Sequence, residues 1–360
     1  MRGRAAIITA FNPYTFQGGI ETYSSQLEGL LRGQNVACDF YYIGEQEEGH
    51  GFHNDYLGRL YRLGRKVFER DRDYDFIIAN AFYGLGYFPP RVRTFNIFHL
   101  THMGFAEEIR DVVPAPQYLE WKFLWGKLSE SVSGFERSKI AVSESVRDEL
   151  NTYYGFEDVK VVPSGIDTRI FAKADKLLSR KRYAIPEDAF VGLYVGRWNI
   201  LKGCDVLEEV MAGSPDVFWL LALGTGSDKA PVGERVRVIE QIPHEGMKDL
   251  YSAADFMIFL SRYEGFGYVI IEAMACGLPV IVTNVGIAKT VYKDEPFREF
   301  LLPPFSAGRS CVVSSAMDRI AQVRSGEDIV HAMTREGRTL IEKEFGIERW
   351  KKQMVAIFGL

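Results

Sequence analysis

Short apolar runs that alternate with helical stretches constrain the fold of this chain more than any other feature of its sequence. In one clear case, residues 261–280 read SRYEGFGYVIIEAMACGLPV, follow the apolar run 255–260 and lead into the run 279–282. Buried parallel strands read as continuous apolar runs, with a helix crossing between them. The stretch therefore predicts a strand–loop–helix–strand unit whose loop lies at the carboxyl edge of a sheet, where doubly wound folds bind ligands.

Two series of such strand and helix signals predict two similar α/β domains, each a doubly wound parallel sheet, facing a cleft. We expect an N-terminal domain over residues 1–170 and a C-terminal domain over residues 186–344. The polar, basic stretch 171–185 between them is predicted to be a linker. The predicted strands are residues 5–10, 36–43, 75–80, 94–98, 139–142, 160–162, 190–195, 217–223, 235–239, 255–260 and 279–282.

Composition excludes several classes of protein. The 360 residues are 47% hydrophobic and carry a net charge of −5, which argues against a nucleic-acid-binding protein. No apolar run approaches the roughly 18–20 residues that would span a bilayer. The four cysteines are far apart and fit no metal-ligand spacing, so we expect reduced thiols in a cytoplasmic protein.

Gly18 and Gly19 stand between the first predicted strand and the first predicted helix. Glycines at this place let backbone N–H groups approach a ligand, and the N-terminus of a helix favours an anion. The spacing fits neither the dinucleotide fingerprint nor the P-loop. The pair therefore predicts either a phosphate contact or a simple tight turn.

Arg197 and Lys202 follow the strand 190–195 and precede a helix that starts near Gly203. An arginine offers a planar fork of donors and a lysine offers a point charge, so the two suit one polyphosphate. The alternative is a solvated loop with two cations in it. Their position between a strand end and a helix start favours the binding role.

Glu264 and Glu272 lie eight positions apart. If a helix continues between them they are roughly 12 Å apart, too far to act on one bond as a retaining carboxylate pair. They could instead hold two ends of an extended ligand, with a phosphate at the helix N-terminus between them. The alternative is that Glu264 stabilises the helix dipole and Glu272 is solvated. Glu272 has apolar neighbours on both sides, and a buried acid needs a partner.

His99 and His102 follow the predicted strand 94–98 in the sequence FHLTHMGF. A metal site is disfavoured because no third ligand is near in the sequence, so we expect no metal. A histidine that donates to ligand hydroxyl groups is the favoured interpretation.

The predicted helix 56–72 is amphipathic, and its apolar face is assigned to Leu57, Leu60, Tyr61, Val67 and Phe68. It would either cover the sheet with a solvated outer face or offer a cationic surface to an anionic acceptor or to membrane head groups. The cations of that surface are Arg59, Arg62, Lys66 and Arg70.

These motifs together resemble the family 4 retaining glycosyltransferases, which have the GT-B fold. The resemblance runs nearly end to end. It implies that both domains are Rossmann-like and that a sugar nucleotide is held mainly by the C-terminal one. It also implies a final helix, at about 345–360, that crosses back onto the N-terminal domain. The segments that carry it are GGIE (18–21), AVSES (141–145), VPSGID (162–167), GRWNILKG (196–203), LGTG (223–226), IPHEGMKDLYSAAD (242–255) and EGFGYVIIEAMACGLPVI (264–281).

The resemblance implies a role for each of the residues singled out above. Arg197 and Lys202 would bind the donor diphosphate, Glu272 would bind the ribose, and Glu264 would act at the transferred sugar. The remaining donor contacts would come from Gly18, Gly19, Gly265, Phe266 and Gly267.

A histidine after the fourth strand would contact the sugar near the reacting centre; His99 is the first choice and His102 the second. Acceptor recognition would lie in the N-terminal domain, near Tyr14 and Phe16. The chain departs from the family pattern at residues 286–290, which contain one glycine and a lysine where a glycine pair and an acid are usual.

The resemblance implies a retaining, metal-independent glycosyltransferase without a cofactor, which moves a sugar, expected to be a hexose, from a nucleoside-diphosphate sugar. The acceptor would be a glycan, a lipid-linked glycan or a natural product. A sugar-nucleotide epimerase and a non-catalytic nucleotide-sugar-binding subunit are the alternatives. We expect a cytoplasmic protein, with a peripheral contact at the inner membrane face as a further hypothesis.

Overall fold

The computed structural model describes residues 3–16, 18–44, 56–240, 242–243 and 246–360. The chain divides into two compact units. The first comprises Met1–Ser164 and Lys351–Leu360, and the second comprises Gly165–Trp350. Each unit is built on a parallel sheet with helices in its connections, so the predicted α/β class with two parallel sheets is confirmed.

The first unit contains a six-stranded parallel sheet. Its strands are β1 (Gly3–Thr9), β2 (Val36–Tyr42), β3 (Phe76–Asn80), β4 (Thr94–Phe98), β5 (Ser138–Ala141) and β6 (Val159–Val161). Their order, β2-β1-β3-β4-β5-β6, reverses between β1 and β3. Every residue of β3 and β4 is buried, which explains their continuous apolar sequence. The loops after β1 and β3 therefore lie at a topological switch point, where such sheets bind ligands.

Helices connect these strands, as parallel pairing requires. The sequence pattern predicts helices at about 144–154 and 118–131. The first is found with these bounds, and the second is part of a longer helical run with a π-helix at Glu120–Glu130. The α-helices are α1 (Gly19–Gly33), α2 (Tyr56–Arg70), α3 (His102–Ile109), α4 (Ala115–Leu119), α5 (Ser131–Gly134) and α6 (Glu144–Tyr154).

The second unit contains a five-stranded parallel sheet. Its strands are β7 (Val191–Gly196), β8 (Phe218–Leu223), β9 (Val236–Glu240), β10 (Phe256–Phe259) and β11 (Val280–Val282). Their order, β11-β10-β7-β8-β9, reverses between β7 and β10. The loops after β7 and β10 thus meet at the switch point of this sheet.

The helices of the second unit complete the chain. The last of them spans the boundary at Lys351, so that its C-terminal part belongs to the first unit. The helices are α7 (Lys176–Arg182), α8 (Cys204–Gly213), α9 (Met247–Ala253), α10 (Tyr268–Ala275), α11 (Ala288–Val291), α12 (Arg309–Ser325), α13 (Asp328–Glu344) and α14 (Ile347–Phe358).

The end of α14 is held by aromatic and polar contacts of the first unit. The ring of Phe358 stacks on Phe76 at 5.4 Å and meets Phe95 edge-on at 4.9 Å. Arg93 donates to the carbonyl oxygen of Phe358 at 2.9 Å. The Tyr23 hydroxyl donates to the sulfur of Met354 at 3.7 Å, so both polar and apolar contacts fix this end.

The structure differs from the sequence-based prediction at residues 171–185, which are part of the second unit and not a free linker. Arg180 in α7 is only 4% exposed and donates to the Ala253 carbonyl oxygen at 3.0 Å. Arg180 and Lys176 both pair with Asp255, at 2.8 and 2.5 Å. The basic residues that suggested a solvated linker are therefore the groups that attach it to the domain.

We predict that Arg180→Met lowers the free energy of unfolding by about 3 kcal/mol, because it removes one partner of a buried ion pair. Chemical denaturation of both proteins measures the change. The control is Arg182→Met on the same helix, whose side chain is 61% exposed and pairs with Asp249. That exposed pair is worth less than about 1 kcal/mol. Equal, small losses in the two variants would mean that α7 contributes little to the domain.

Candidate active site

Arg197 follows β7 in a loop whose backbone is fixed by neighbouring side chains. The Tyr194 hydroxyl donates to the Arg197 carbonyl oxygen at 2.6 Å, and the next residue, Trp198, is buried and donates its N–H to Ser227 Oγ at 2.9 Å. The side chain of Arg197 is exposed and makes no hydrogen bond or ion pair within the described part of the chain. A fixed backbone thus presents a guanidinium group that is available to a ligand.

Lys202 lies at the end of the same loop and forms an ion pair with Glu264 from the loop after β10. Its backbone N–H is capped by the Asn199 side chain at 3.1 Å. The two side chains are 23% and 17% exposed, so the pair is accessible to a ligand at the sheet edge. The structure brings together these two residues, which the sequence placed 62 positions apart.

A second link, missed by sequence reasoning, fastens the same two loops. Arg262 is 8% exposed and donates to both oxygens of Asp205, at 2.9 and 2.8 Å. Its guanidinium group lies over the ring of Phe305 at 4.5 Å, and its backbone N–H donates to the Leu201 carbonyl oxygen at 3.0 Å. The sequence signal that could have predicted this link is Arg262 shortly after the apolar strand β10, together with Asp205 in the first turn of α8.

Residues 264–267 form a turn that residues 286–287 support from the neighbouring loop. The Ile287 N–H donates to the Phe266 carbonyl oxygen at 2.7 Å. Gly286 has φ +51°, and a side chain there would collide with that same oxygen. The loop 286–290, which departs from the family pattern, therefore retains the glycine that this contact requires.

The helix that follows begins at Tyr268, so no helix connects Glu264 to the rest of the motif. The distance of roughly 12 Å assumed a continuous helical rise between the two acids. That assumption is wrong for the first half of the interval, where Gly267 adopts a left-handed conformation and ends the turn. The two acids are therefore separated by a turn and one helical turn.

Glu272 is buried at 6% exposure, and its Oε2 accepts a hydrogen bond from the Tyr251 hydroxyl at 2.7 Å. Burial raises the pKa of Glu272 to about 7, although the bond from Tyr251 lowers it in part. Tyr251 in α9 is thus the partner that a buried acid at this position needs. The predicted ribose contact of Glu272 stays a prediction.

In the first unit, His99 follows β4 within a network of uncharged groups. Its Nε2 lies 2.8 Å from Asn80 Oδ1, and Asn80 donates to the Ile8 carbonyl oxygen and to Ser24 Oγ. The ring of Tyr23 packs edge-on against His99 at 4.8 Å. Burial lowers the pKa of His99 to about 3, so the imidazole is neutral in the physiological range.

His102 has a different environment, at the start of α3. Its Nδ1 lies 2.8 Å from Glu130 Oε1, and its backbone N–H donates to Glu130 Oε2 at 2.9 Å. Glu130 is fully buried and also accepts a hydrogen bond from Tyr154. The structure thus places His102 in a cluster with a buried acid; its acceptor-side role stays a prediction.

The glycine pair and the two aromatic residues of the acceptor-side prediction lie around the start of α1. Gly18 is the N-cap residue, and Gly19 is the first residue of the helix. Tyr14 and Phe16 are 65% and 36% exposed. Phe16 packs on Phe11 with ring centroids 4.4 Å apart, so part of its surface is already covered.

Two family models match the two halves of this chain. The model for glycosyltransferase family 4 matches residues 18–170, and the model for glycosyl transferases group 1 matches residues 175–325. The chain belongs to glycosyltransferase family 4.

Individual relatives of this family 4 chain agree with that assignment. It is 33% identical to D-inositol 3-phosphate glycosyltransferase 1 of Catenulispora acidiphila over an alignment of 182 residues. The alignment covers 43% of this chain. The match spans 42% of that relative, less than half of its length.

Solved structures share the GT-B fold across the whole family 4 chain. Sucrose-phosphate synthase of Thermosynechococcus elongatus has a TM-score of 0.81 at 21% identity and covers 99% of this chain and 98% of its own. HepE of Anabaena, in complex with UDP and glucose, has a TM-score of 0.75 at 18% identity and covers 99% of this chain and 100% of its own. At such identities the comparison concerns the fold.

The structure revises the interpretation of helix α2 in this family 4 chain. Of the residues assigned to the apolar face, Leu60 and Val67 are buried as predicted, whereas Leu57 and Tyr61 are exposed at 43% and 60%. The buried face is therefore shifted around the helix from the predicted one and includes Leu63. Arg59 donates to the Ile43 carbonyl oxygen at 3.1 Å, and Arg70 pairs with Asp73 at 3.3 Å. The exposed cations of the predicted surface include Arg62 and Lys66.

The peripheral membrane contact stays a prediction. Among the residues that the structure describes, no helix is both long and apolar enough to cross a bilayer.

The raised pKa of Glu272 predicts a pH-dependent stability. An acid whose pKa rises on folding from 4.5 to about 7 stays protonated while the unfolded chain ionises, so stability falls between these pH values. The loss reaches about 3 kcal/mol above pH 7. We expect Glu272→Gln to remove this slope and to be more stable than the wild type at pH 8. Denaturant titrations of both proteins at pH 5 and pH 8 measure the free energy of unfolding. If it changes equally with pH in the wild type and in Glu272→Gln, Glu272 ionises normally.

Proposed function

We propose that this family 4 chain is a retaining, metal-independent glycosyltransferase that moves a hexose from a nucleoside-diphosphate sugar to a hydroxyl group of an acceptor. The observation that carries the proposal is the pair of cations at the switch point of the second sheet. Arg197 is exposed, and Lys202 pairs with Glu264. Two cations fixed at this edge suit the two negative charges of a leaving diphosphate.

The Lys202–Glu264 ion pair has a role in the protein before the donor binds. It holds the lysine and the carboxylate at the sheet edge, and each is a group that a different part of the donor would use. A diphosphate competes with Glu264 for Lys202, which releases the carboxylate to accept hydrogen bonds from hydroxyl groups of the sugar. Donor binding thus replaces the Lys202–Glu264 pair by a lysine–phosphate pair, and hydrogen bonds from the sugar hydroxyl groups then satisfy the released carboxylate.

The nature of the donor is supported by the fold that is shared with other glycosyltransferases. HepE of Anabaena has been solved with UDP and glucose, and also with UDP-glucose. The same fold, together with Arg197 and Lys202 at the end of β7, supports a nucleoside-diphosphate hexose as the donor of this chain. The acceptor contacts are proposed to come from the first unit.

Retention is proposed through a front-face reaction. The bond between the sugar C1 and the β-phosphate oxygen breaks, and the acceptor oxygen bonds to C1 on the same face. The acceptor proton passes to the leaving phosphate oxygen, so the reaction needs no protein base. The neutral imidazole of His99 donates from Nε2 to Asn80 Oδ1, so its Nδ1 can only accept a hydrogen bond from a sugar hydroxyl group, and its low pKa makes it a poor base for this proton.

Two other functions would use the same donor. A sugar-nucleotide epimerase forms product from the donor alone, whereas a transferase requires an acceptor apart from slow hydrolysis. A non-catalytic binding subunit binds the donor and releases no nucleoside diphosphate. Product analysis with the donor alone therefore separates both from the proposed function.

We predict that Arg197→Ala and Lys202→Ala each lower kcat/KM for sugar transfer by about 100-fold or more, because each removes charge stabilisation of the leaving diphosphate. Nucleoside-diphosphate release in the presence of acceptor measures the rate. The control is Lys343→Ala, which removes a cation of α13 whose side chain is 76% exposed. Wild-type kinetics in both site variants would contradict the diphosphate assignment.

We also predict that the rate of transfer is unchanged after dialysis against EDTA, since Arg197 and Lys202 supply the positive charge that a divalent ion supplies elsewhere. The measurement compares the dialysed enzyme with and without added Mg²⁺ or Mn²⁺. A loss of activity that either ion restores would refute metal independence and leave the donor assignment intact.

A further inference from the structure

Glu21 completes the GGIE segment and has no role in the proposed function so far. It lies in the first turn of α1 and is 4% exposed. Its Oε1 is buried and has no hydrogen-bond partner among the residues that the structure describes. Its Oε2 lies 2.5 Å from the position that a Cβ atom would take at Gly18, so the glycine is required for this placement.

A buried carboxyl oxygen without a partner destabilises a fold by about 1–3 kcal/mol. Burial raises the pKa of Glu21, while the backbone N–H groups of Phe11 and of Glu21 itself lower it by less. Those two groups bind one side of the carboxyl group, and the other oxygen has no partner in the described part of the chain. A polar atom with this cost and no protein partner calls for a partner from outside the chain, either a ligand or a bound water.

Uncharged hydrogen-bonding groups surround this position. Ser24, one turn further along the same face of α1, donates to Thr9 Oγ1 at 3.3 Å and accepts a hydrogen bond from Asn80 at 3.1 Å. Asn80 in turn contacts His99 at 2.8 Å. These residues stand at the carboxyl ends of β1, β3 and β4, on both sides of the switch point of the first sheet.

Two tyrosines, Tyr83 and Tyr56, also lie near Glu21. Tyr83 is close enough to Glu21 to interact with it electrostatically, and its hydroxyl group is hydrogen-bonded to that of Tyr56. Arg59 acts electrostatically on Tyr56 and already donates to the Ile43 carbonyl oxygen. Apart from Glu21 itself and Arg59, the groups named around this position are therefore uncharged and rich in hydroxyl groups.

We propose that Glu21 binds the acceptor by accepting hydrogen bonds from its hydroxyl groups, and that the reacting end of the acceptor is a neutral sugar or polyol. This inference rests on the proposed transferase function and names its acceptor class. A carboxylate favours vicinal hydroxyl donors, whereas a phosphate ester at the same place would bring two like charges together in a buried site.

The test uses the full chain and a donor chosen by calorimetry from UDP-, GDP-, ADP- and dTDP-glucose. Neutral acceptors (myo-inositol, methyl α-glucoside, maltose) are compared with inositol 3-phosphate and glucose 6-phosphate. Glu21→Gln keeps the shape of the side chain and removes its charge. The matched control is Glu69→Gln, which removes an exposed charge from α2.

We expect turnover with neutral acceptors and not with the phosphates. In Glu21→Gln we expect the KM of the neutral acceptor to rise about tenfold or more, because one charge-assisted hydrogen bond is lost. The Kd of the donor should stay the same or decrease. Glu69→Gln should match the wild type in both constants. Thermal unfolding checks that the variant is folded.

If the wild-type protein turns over the phosphorylated acceptors but not the neutral ones, the inference is overturned before any variant is tested. An unchanged acceptor KM in Glu21→Gln, or a loss confined to the donor Kd, would also overturn it. In each of these cases donor binding and transfer persist, so the proposed function survives. A wild-type protein that binds none of the sugar nucleotides would remove the proposed function and this inference together.

Discussion

The fastening of the loop after β7 to the loop after β10 is the interaction on which the candidate site depends. Two ion pairs make it, and they differ in burial. Arg262 is 8% exposed and bound at two points to Asp205, so breaking that pair would leave a buried charge. Lys202 and Glu264 are more accessible. One pair thus fixes the loops, and the other can exchange partners when an anion arrives.

The sheet of the first unit has a switch point of the same kind with different chemistry. There the groups at the carboxyl ends of the strands are Thr9, Asn80 and His99, with Ser24 from α1 between them, and none of them carries a charge near neutral pH. A charged edge suits the phosphates of a donor, and a neutral edge suits hydroxyl groups. The two sheets have the same topology at this point, but the groups at one edge suit the donor phosphates and those at the other suit hydroxyl groups.

Burial on both faces made most of the fold predictable from the sequence. The strand predicted at 94–98 is β4 with the same bounds, because each of its residues is buried. The positions of Arg197, Lys202 and Glu264 after strand ends followed from the same signal. Helix α12 was not predicted, because small and polar residues separate its buried positions. Helix α7 was taken for a linker because Asp255, the acid that binds Arg180, lies 75 residues away in the sequence.

Side-chain partners could not be predicted in the same way, because they depend on how distant elements pack. Glu264 and Glu272 belong to one motif, and the spacing suggested equivalent acids at two ends of a ligand. The structure gives Glu264 a lysine at the sheet edge and gives Glu272 a tyrosine in the interior. The pKa of Glu272 is raised to about 7 because its surroundings are apolar. Two acids of one motif therefore differ in protonation and chemistry through their partners, and a motif alone does not specify those.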